Sequence, residues 1–190
     1  KDMPELPEVE TVRKQLEKEI LGSEIVGEGK VVEIVRVGKY LFIKLESGRG
    51  LEIHLKMTGR LVLNDPWYNT AKHTRKIISL KDGRKIYFWD IRKFGYIKVV
   101  NNIESEYQRI KEKLGPEPWD ISDIELLRKF KKTGRSIKEA ILDQSMLAGV
   151  GNIYANDGLW GAGIDPRRIA KSLKLKEVAK LRKSLCHVLE

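Results

Sequence analysis

The chain has 190 residues, 41% of them hydrophobic, a length that suits one large or two small domains with a real core. It carries 37 basic and 27 acidic residues for a formal charge of +10, which favours a polyanionic partner, nucleic acid before an acidic membrane surface. No apolar run is long enough to span a bilayer, KDMPELPEVE is too acidic and proline-broken for a secretory signal, and the single cysteine, Cys186, excludes an intrachain disulfide or a two-cysteine zinc site, so a cytoplasmic protein is expected.

In chain order, Val9, Val12, Leu16 and Ile20 recur at three- and four-residue steps and predict an amphipathic helix over Pro7 to Ile20, closed by Gly22. From about Val31 to Val100 the period becomes two. VVEIVRV, KYLFIKL, LEIHLKM, RLVL, KIISL, KIYFWD and GYIKVV are seven short strand candidates, rich in β-branched and aromatic residues. Leu51 to Met57 alternates strictly, which predicts one wet face. Ser47 to Gly50 and Asp82-Gly83 read as hairpin turns. Leu114-Gly115-Pro116-Glu117-Pro118 breaks the pattern and is the candidate linker. Helices are predicted from Asp120 to Lys132, from Ser136 to Gln144 with Ser136 and Glu139 at capping-box spacing, and from Lys174 to Leu189. The expected fold class is α+β: an N-terminal helix plus an antiparallel β-sandwich over residues 1–115, then an all-α domain over 116–190.

The positive charge is clustered. Residues 71–98 hold nine basic side chains against Asp82 and Asp90, and RKFKKTGRSIK (128–138) holds six and no acid. Such runs are ordinarily solvated faces. Two of them flanking one linker also suit a duplex lying across both domains, its phosphates supplying most of the affinity.

Ala148-Gly149-Val150-Gly151-Asn152 places two glycines just before a helix start. Glycine lets backbone approach an anion, and the first amides of a helix favour negative charge. Asn152 can cap that helix or donate to a phosphate. A tight turn between packed helices would use the same glycines, so spacing alone leaves both readings open.

Six segments in order carry a family likeness: MPELPEVETVRKQL (3–16), VGKYLF (37–42), HLKMTGRL (54–61), DIRKFG (90–95), LGPEP (114–118) and SIKEAILDQSMLAGVGNIYANDGLWGAGIDP (136–166). Together they resemble the bacterial formamidopyrimidine-DNA glycosylases, relatives of endonuclease VIII, with PELPEVET closer to the formamidopyrimidine branch. The resemblance implies that the second domain is a helix-two-turn-helix DNA-binding domain. It also implies base-excision repair of oxidised purines in duplex DNA, with the base extruded into a pocket. Pro4 would supply the secondary amine that forms a Schiff base at the sugar, Glu5 the general acid, and Lys39 the hold on the adjacent phosphate. Met57, Arg92 and Phe94 match the side chains that enter the duplex and fill the vacated space. Ordinary core packing would equally explain Met57 and Phe94 from alternation alone. His73, Lys138 and Asn152 fall where the family contacts phosphates or the lesion, with Arg135 a nearby phosphate candidate. The expected partner is double-stranded DNA with oxidised bases or abasic sites, bound by a monomer.

Three departures from the family pattern qualify the expectation. Lys1, Asp2 and Met3 precede Pro4, and an acylated proline has no free nitrogen for a Schiff base. The family's structural zinc sits in a four-cysteine C-terminal ribbon, whereas this sequence holds only Cys186, so no cofactor is expected in it and weaker binding with impaired δ-elimination follows. The stretch from Ile20 to Val31 is short beside the family, and Val26-Gly27-Glu28-Gly29 is either a shortcut or a seam. The alternative function is a non-catalytic damaged-DNA-binding relative. A basic RNA-binding sandwich is the third reading.

Overall fold

The computed structural model describes residues 3–190; Lys1 and Asp2, which bear on the acylation of Pro4, lie outside the described residues. The chain forms two compact units. One holds the segment ending at Pro4 together with Glu8–Ile110, and the other holds Glu5–Pro7 with Lys111–Glu190.

The first unit begins with α1 (Leu6–Ile20), whose Val9, Leu16 and Ile20 are buried, as their spacing predicts. All seven strand candidates form strands, and an eighth precedes them. β1 (Glu24–Ile25), β2 (Gly29–Val37), β3 (Tyr40–Leu45), β4 (Gly50–His54) and β8 (Tyr96–Val100) make a five-stranded antiparallel sheet in that order. β5 (Arg60–Leu63), β7 (Lys85–Trp89) and β6 (Thr74–Ser79) make a three-stranded one, β7 central. The sandwich core lies between them, built from Ile34, Leu41, Ile43, Leu51, Ile53, Ile86 and Phe88 among others. The short stretch after α1 is closed locally. Gly27 turns at φ +78°, β1 pairs with β2, and Ile25 bridges to Leu80 beside the end of β6.

The predicted wet face of β4 is not wet. Gly50, Leu51, Glu52 and Ile53 are all buried, because α2 (Ile103–Lys113) covers the side of the sheet opposite the core. A Cβ on Gly50 would lie 2.6 Å from the Ile103 side chain, and the Phe42 ring meets Tyr107 edge-on at 5.3 Å. Glu52 accepts a hydrogen bond from Tyr96 Oη at 2.7 Å, with Lys98 3.8 Å away. Sequence reading misses α2 because IESEYQRIKEK is dominated by charge; its signal was Ile103, Tyr107 and Ile110 on one stripe behind Asn102, which caps the Ser105 amide at 3.0 Å.

The second unit is helical: α3 (Asp123–Lys131), α4 (Ile137–Leu142), α5 (Asn152–Ala162) and α6 (Leu175–Leu189). Reciprocal capping boxes close α3 at Ser122/Glu125 and α4 at Ser136/Glu139, the second as predicted. Gly158 admits α6 closely, since a Cβ there would meet Leu185 Cδ2 at 2.4 Å. Residues 114–118 are not a loose linker. Gly115 N–H donates to the Gln144 carbonyl at 2.8 Å, the Pro116 carbonyl accepts from Ala148 N–H at 3.0 Å, and Pro118 is buried.

Candidate active site and nucleic-acid interface

The glycine loop of the second unit already holds an anion, and it belongs to the chain. Glu5 is buried, and its carboxylate accepts from Gly151 N–H at 2.6 Å and Ile153 N–H at 2.9 Å, the free amides at the start of α5. Backbone donors at a helix N-terminus stabilise a carboxylate as they would a phosphate. Both glycines are needed for the approach. A Cβ on Gly151 would lie 2.3 Å from Glu5 Cδ, and one on Gly149 (φ +88°) would lie 2.3 Å from Leu6 Cδ1. Gln144 braces the loop, donating to the Val150 carbonyl at 2.7 Å and accepting from Gly149 N–H at 3.0 Å. Asn152 is not the cap. Gly151 holds that position without a side-chain bond, and Asn152 is exposed in the first turn.

In the first unit, Pro4 lines a cavity of about 170 Å³ together with Met57, Thr58, Arg60, Trp89 and Ile91. Met57 and Phe94 are 37% and 56% exposed, so neither is a core residue. The Arg92 guanidinium lies over the Phe94 ring at 5.4 Å. The residue that holds this group in place is one sequence reading passes over. Asp90 is fully buried; its carboxylate accepts from Thr58 Oγ1, from Arg92 N–H at 3.1 Å and from Gly95 N–H at 2.8 Å. It thereby ties the turn after Met57 to the loop carrying Arg92 and Phe94. Lys56 and Lys93 flank the two segments at φ +53° and +62°, left-handed backbone that non-glycine residues adopt at a cost and that concentrates at working sites.

Lys39 sits half-buried at the β2–β3 turn, beside Gly38 at φ +55°. Nearby, His54 is kept neutral. Burial, then the charges of Lys56 and Lys39, bring its pKa down to about 3. Its Nδ1 accepts from Lys56 N–H at 3.0 Å, which leaves the ring proton on Nε2. His73 is half-buried with its ring edge-on to Trp89 at 5.8 Å.

Arg135 and Lys138 belong to the second unit. Arg135 is exposed but engaged, donating to Asp143 at 2.7 Å; bonds from Ser145 and Arg135 hold the Asp143 carboxyl down to about 2. Lys138 is half-buried on α4. The ten candidates therefore fall in both units. Pro4 and Met57 share a cavity, Met57, Arg92 and Phe94 share the Asp90 brace, and Glu5 shares its loop with Asn152.

Residues 26–97 match the formamidopyrimidine-DNA glycosylase N-terminal domain, and residues 114–190 match the helix-two-turn-helix domain of the same enzymes. The chain is 40% identical to the formamidopyrimidine-DNA glycosylase of Desulfitobacterium hafniense, with 99% of the chain and 77% of the relative aligned. It belongs to the formamidopyrimidine-DNA glycosylase family. The enzyme of Moorella thermoacetica is 38% identical over the same shares. The crystal structure of the Lactococcus lactis glycosylase bound to DNA with an AP site superposes with TM-score 0.89 at 30% identity, over 98% of this chain and 79% of that one. The complex of the Lactococcus lactis enzyme with DNA containing a formamidopyrimidine matches at 0.88, over 97% and 78%.

The relatives' alignments run over 212 positions against the 190 residues here, so they carry residues this chain lacks. Among the described residues there is no group of three or more His, Cys, Asp or Glu placed to hold a metal ion. No described helix is long and apolar enough to cross a membrane.

Proposed function

We propose that this base-excision repair DNA glycosylase removes oxidised purines, 8-oxoguanine and formamidopyrimidines, from duplex DNA and then cleaves the strand. The observation that carries the reading is the exposed Met57–Arg92–Phe94 group on its Asp90 brace. Apolar side chains held out in solvent on a buried hydrogen-bonded support are costly without a partner, and a duplex with an extruded base offers one. Phe94 and Met57 would replace lost stacking, and Arg92 would meet the orphaned base.

The chemistry rests on Pro4 and Glu5, neighbours in sequence. The Pro4 nitrogen, once freed of residues 1–3, attacks the anomeric carbon and the bond to the damaged base breaks, the base taking a proton from water. The bond from the anomeric carbon to the ring oxygen then opens, the ring oxygen is protonated, and an iminium forms. Glu5, stabilised as an anion by the Gly151 and Ile153 amides, takes the proton the amine gives up and returns it to the sugar as general acid. The iminium acidifies the neighbouring C2′–H of the sugar; that proton passes to water, a double bond forms, and the 3′ phosphate held by Lys39 leaves with the electron pair of its C–O bond. His73, Lys138 and Asn152 contact the DNA, with Arg135 available to it only by loosening its bond to Asp143. The enzyme acts as a monomer in the cytoplasm, on nucleoid DNA. A non-catalytic DNA-binding role is not favoured, since the relatives at 36–40% identity are named as glycosylases.

An incision assay tests this proposal. A duplex with one 8-oxoguanine opposite cytosine is expected to be cut at the lesion by protein beginning at Pro4, and the undamaged duplex left whole. Equal treatment of both duplexes would refute it.

A further inference from the structure

The arginines of this chain divide sharply by partner. Of thirteen, nine hold a carboxylate within salt-bridge distance. Among the described residues, Arg60, Arg75, Arg92 and Arg128 hold none, and the first three gather at one place, around Trp89 and Asp90. Arg92 already belongs to the wedge group. Arg60 and Arg75 are unassigned.

We infer that Arg60 and Arg75, collected with His73 around the Trp89 ring, form a DNA-phosphate subsite joined to the wedge. This deepens the DNA-binding reading above and rests on it. The strand register brings the parts together. Trp89 on the central strand β7 faces Arg60 of β5 on one side and Thr74 of β6 on the other. A bulge between Thr74 and Lys76 inserts Arg75 as the extra residue, a device that re-aims a side chain. The guanidinium of Arg60 then lies over the Trp89 ring at 5.5 Å. Arg75 Nε donates to the Asp90 carbonyl at 2.8 Å, and its Nη2 stands 3.5 Å from His73 Nδ1.

Among the described residues each cation is thus positioned by neutral groups, an aromatic face for Arg60 and a carbonyl and the His73 ring for Arg75, and neither holds a carboxylate within salt-bridge distance. Both side chains are exposed. The one carboxylate beside them, Asp90, is buried and spent on Thr58 and on the Arg92 and Gly95 amides, so the neighbouring guanidinium groups repel one another and an arriving anion relieves that cost. Guanidinium forks match phosphate oxygens bidentately, so a backbone phosphate fits the site. The same Asp90 that braces the wedge supplies the carbonyl holding Arg75, which couples this phosphate contact to the segment that enters the duplex.

The test is the salt dependence of binding to a duplex carrying a tetrahydrofuran abasic-site analogue, followed by fluorescence anisotropy. Each lost phosphate contact reduces the slope of log K against log salt by about 0.9. Arg60→Gln and Arg75→Gln are each expected to flatten the slope by that amount. Affinity should fall by the same factor for abasic and undamaged duplexes, because phosphate contacts do not read the lesion. Arg60→Lys and Arg75→Lys are expected to restore the slope, which a purely structural role for the guanidinium would not allow. Wild-type slopes in both glutamine variants would overturn the inference while leaving the DNA-binding reading intact. Failure of the wild-type chain to bind either duplex would instead overturn that reading.

Discussion

Gly151 shows how narrowly the site is built at the scale of one residue. It approaches Glu5 so closely that a methyl group there would displace the carboxylate, and if Glu5 is the general acid proposed above, moving it from its place costs roughly 100- to 10,000-fold in rate. Gly151→Ala is therefore expected to lower single-turnover excision by at least about a hundredfold, while binding to an abasic-site duplex changes little. An unchanged excision rate would show that Glu5 does not act from this seat. In sequence the glycine pair fits an anion cradle or a tight turn equally, and the Glu5 carboxylate on the Gly151 and Ile153 amides decides for the cradle. Spacing can reveal amides free to accept a charge, but the two sides of this contact are 146 residues apart in the chain. Met57 and Phe94 illustrate the opposite difficulty. Alternation of apolar residues favours a core position, and only the folded chain shows that both side chains stand in solvent. Asp90 receives two of its bonds from amides two and five residues along the chain, but its third, from Thr58, spans 32 residues, and that join only the fold reveals.

The elements were more legible than the side chains that join them. All seven strand candidates and the α1, α3, α4 and α6 stripes follow from period and turn chemistry, since a short antiparallel strand or amphipathic helix writes its own pattern. What failed was the assignment of faces on β4, because covering by α2 is a long-range event. Its physical consequence is a buried Glu52, whose carboxyl is pushed above the ordinary glutamate range by burial first and by the neighbouring Glu106 charge, against the Tyr96 bond. The folded chain thus holds this proton more tightly than the unfolded one. Its contribution to stability is complete below the ordinary value of 4.5 and is lost as pH rises through the higher folded value. Glu52→Gln keeps a partner for Tyr96 but has no proton to lose. Thermal melts of both proteins are expected to show the variant's advantage growing from pH 4.5 upward. A constant or shrinking difference would mean that Glu52 is not held protonated by its burial.

Across the whole molecule, function was legible through order rather than composition. A charge of +10 indicates only a polyanion; six motifs in fixed sequence order identify a chemistry, and the family relationship agrees with them. The first unit holds the Pro4 cavity and the Met57–Arg92–Phe94 group, and the second holds the amides that bind the Glu5 carboxylate. The proposed chemistry turns on the nitrogen of Pro4. The decisive measurement is borohydride trapping on a duplex with a single 8-oxoguanine, with the adduct located by mass spectrometry. Protein beginning at Pro4 should yield a covalent complex linked through the proline nitrogen, and protein retaining Lys1, Asp2 and Met3 should yield none. An adduct formed with those three residues in place, or none with Pro4 free, would contradict the mechanism.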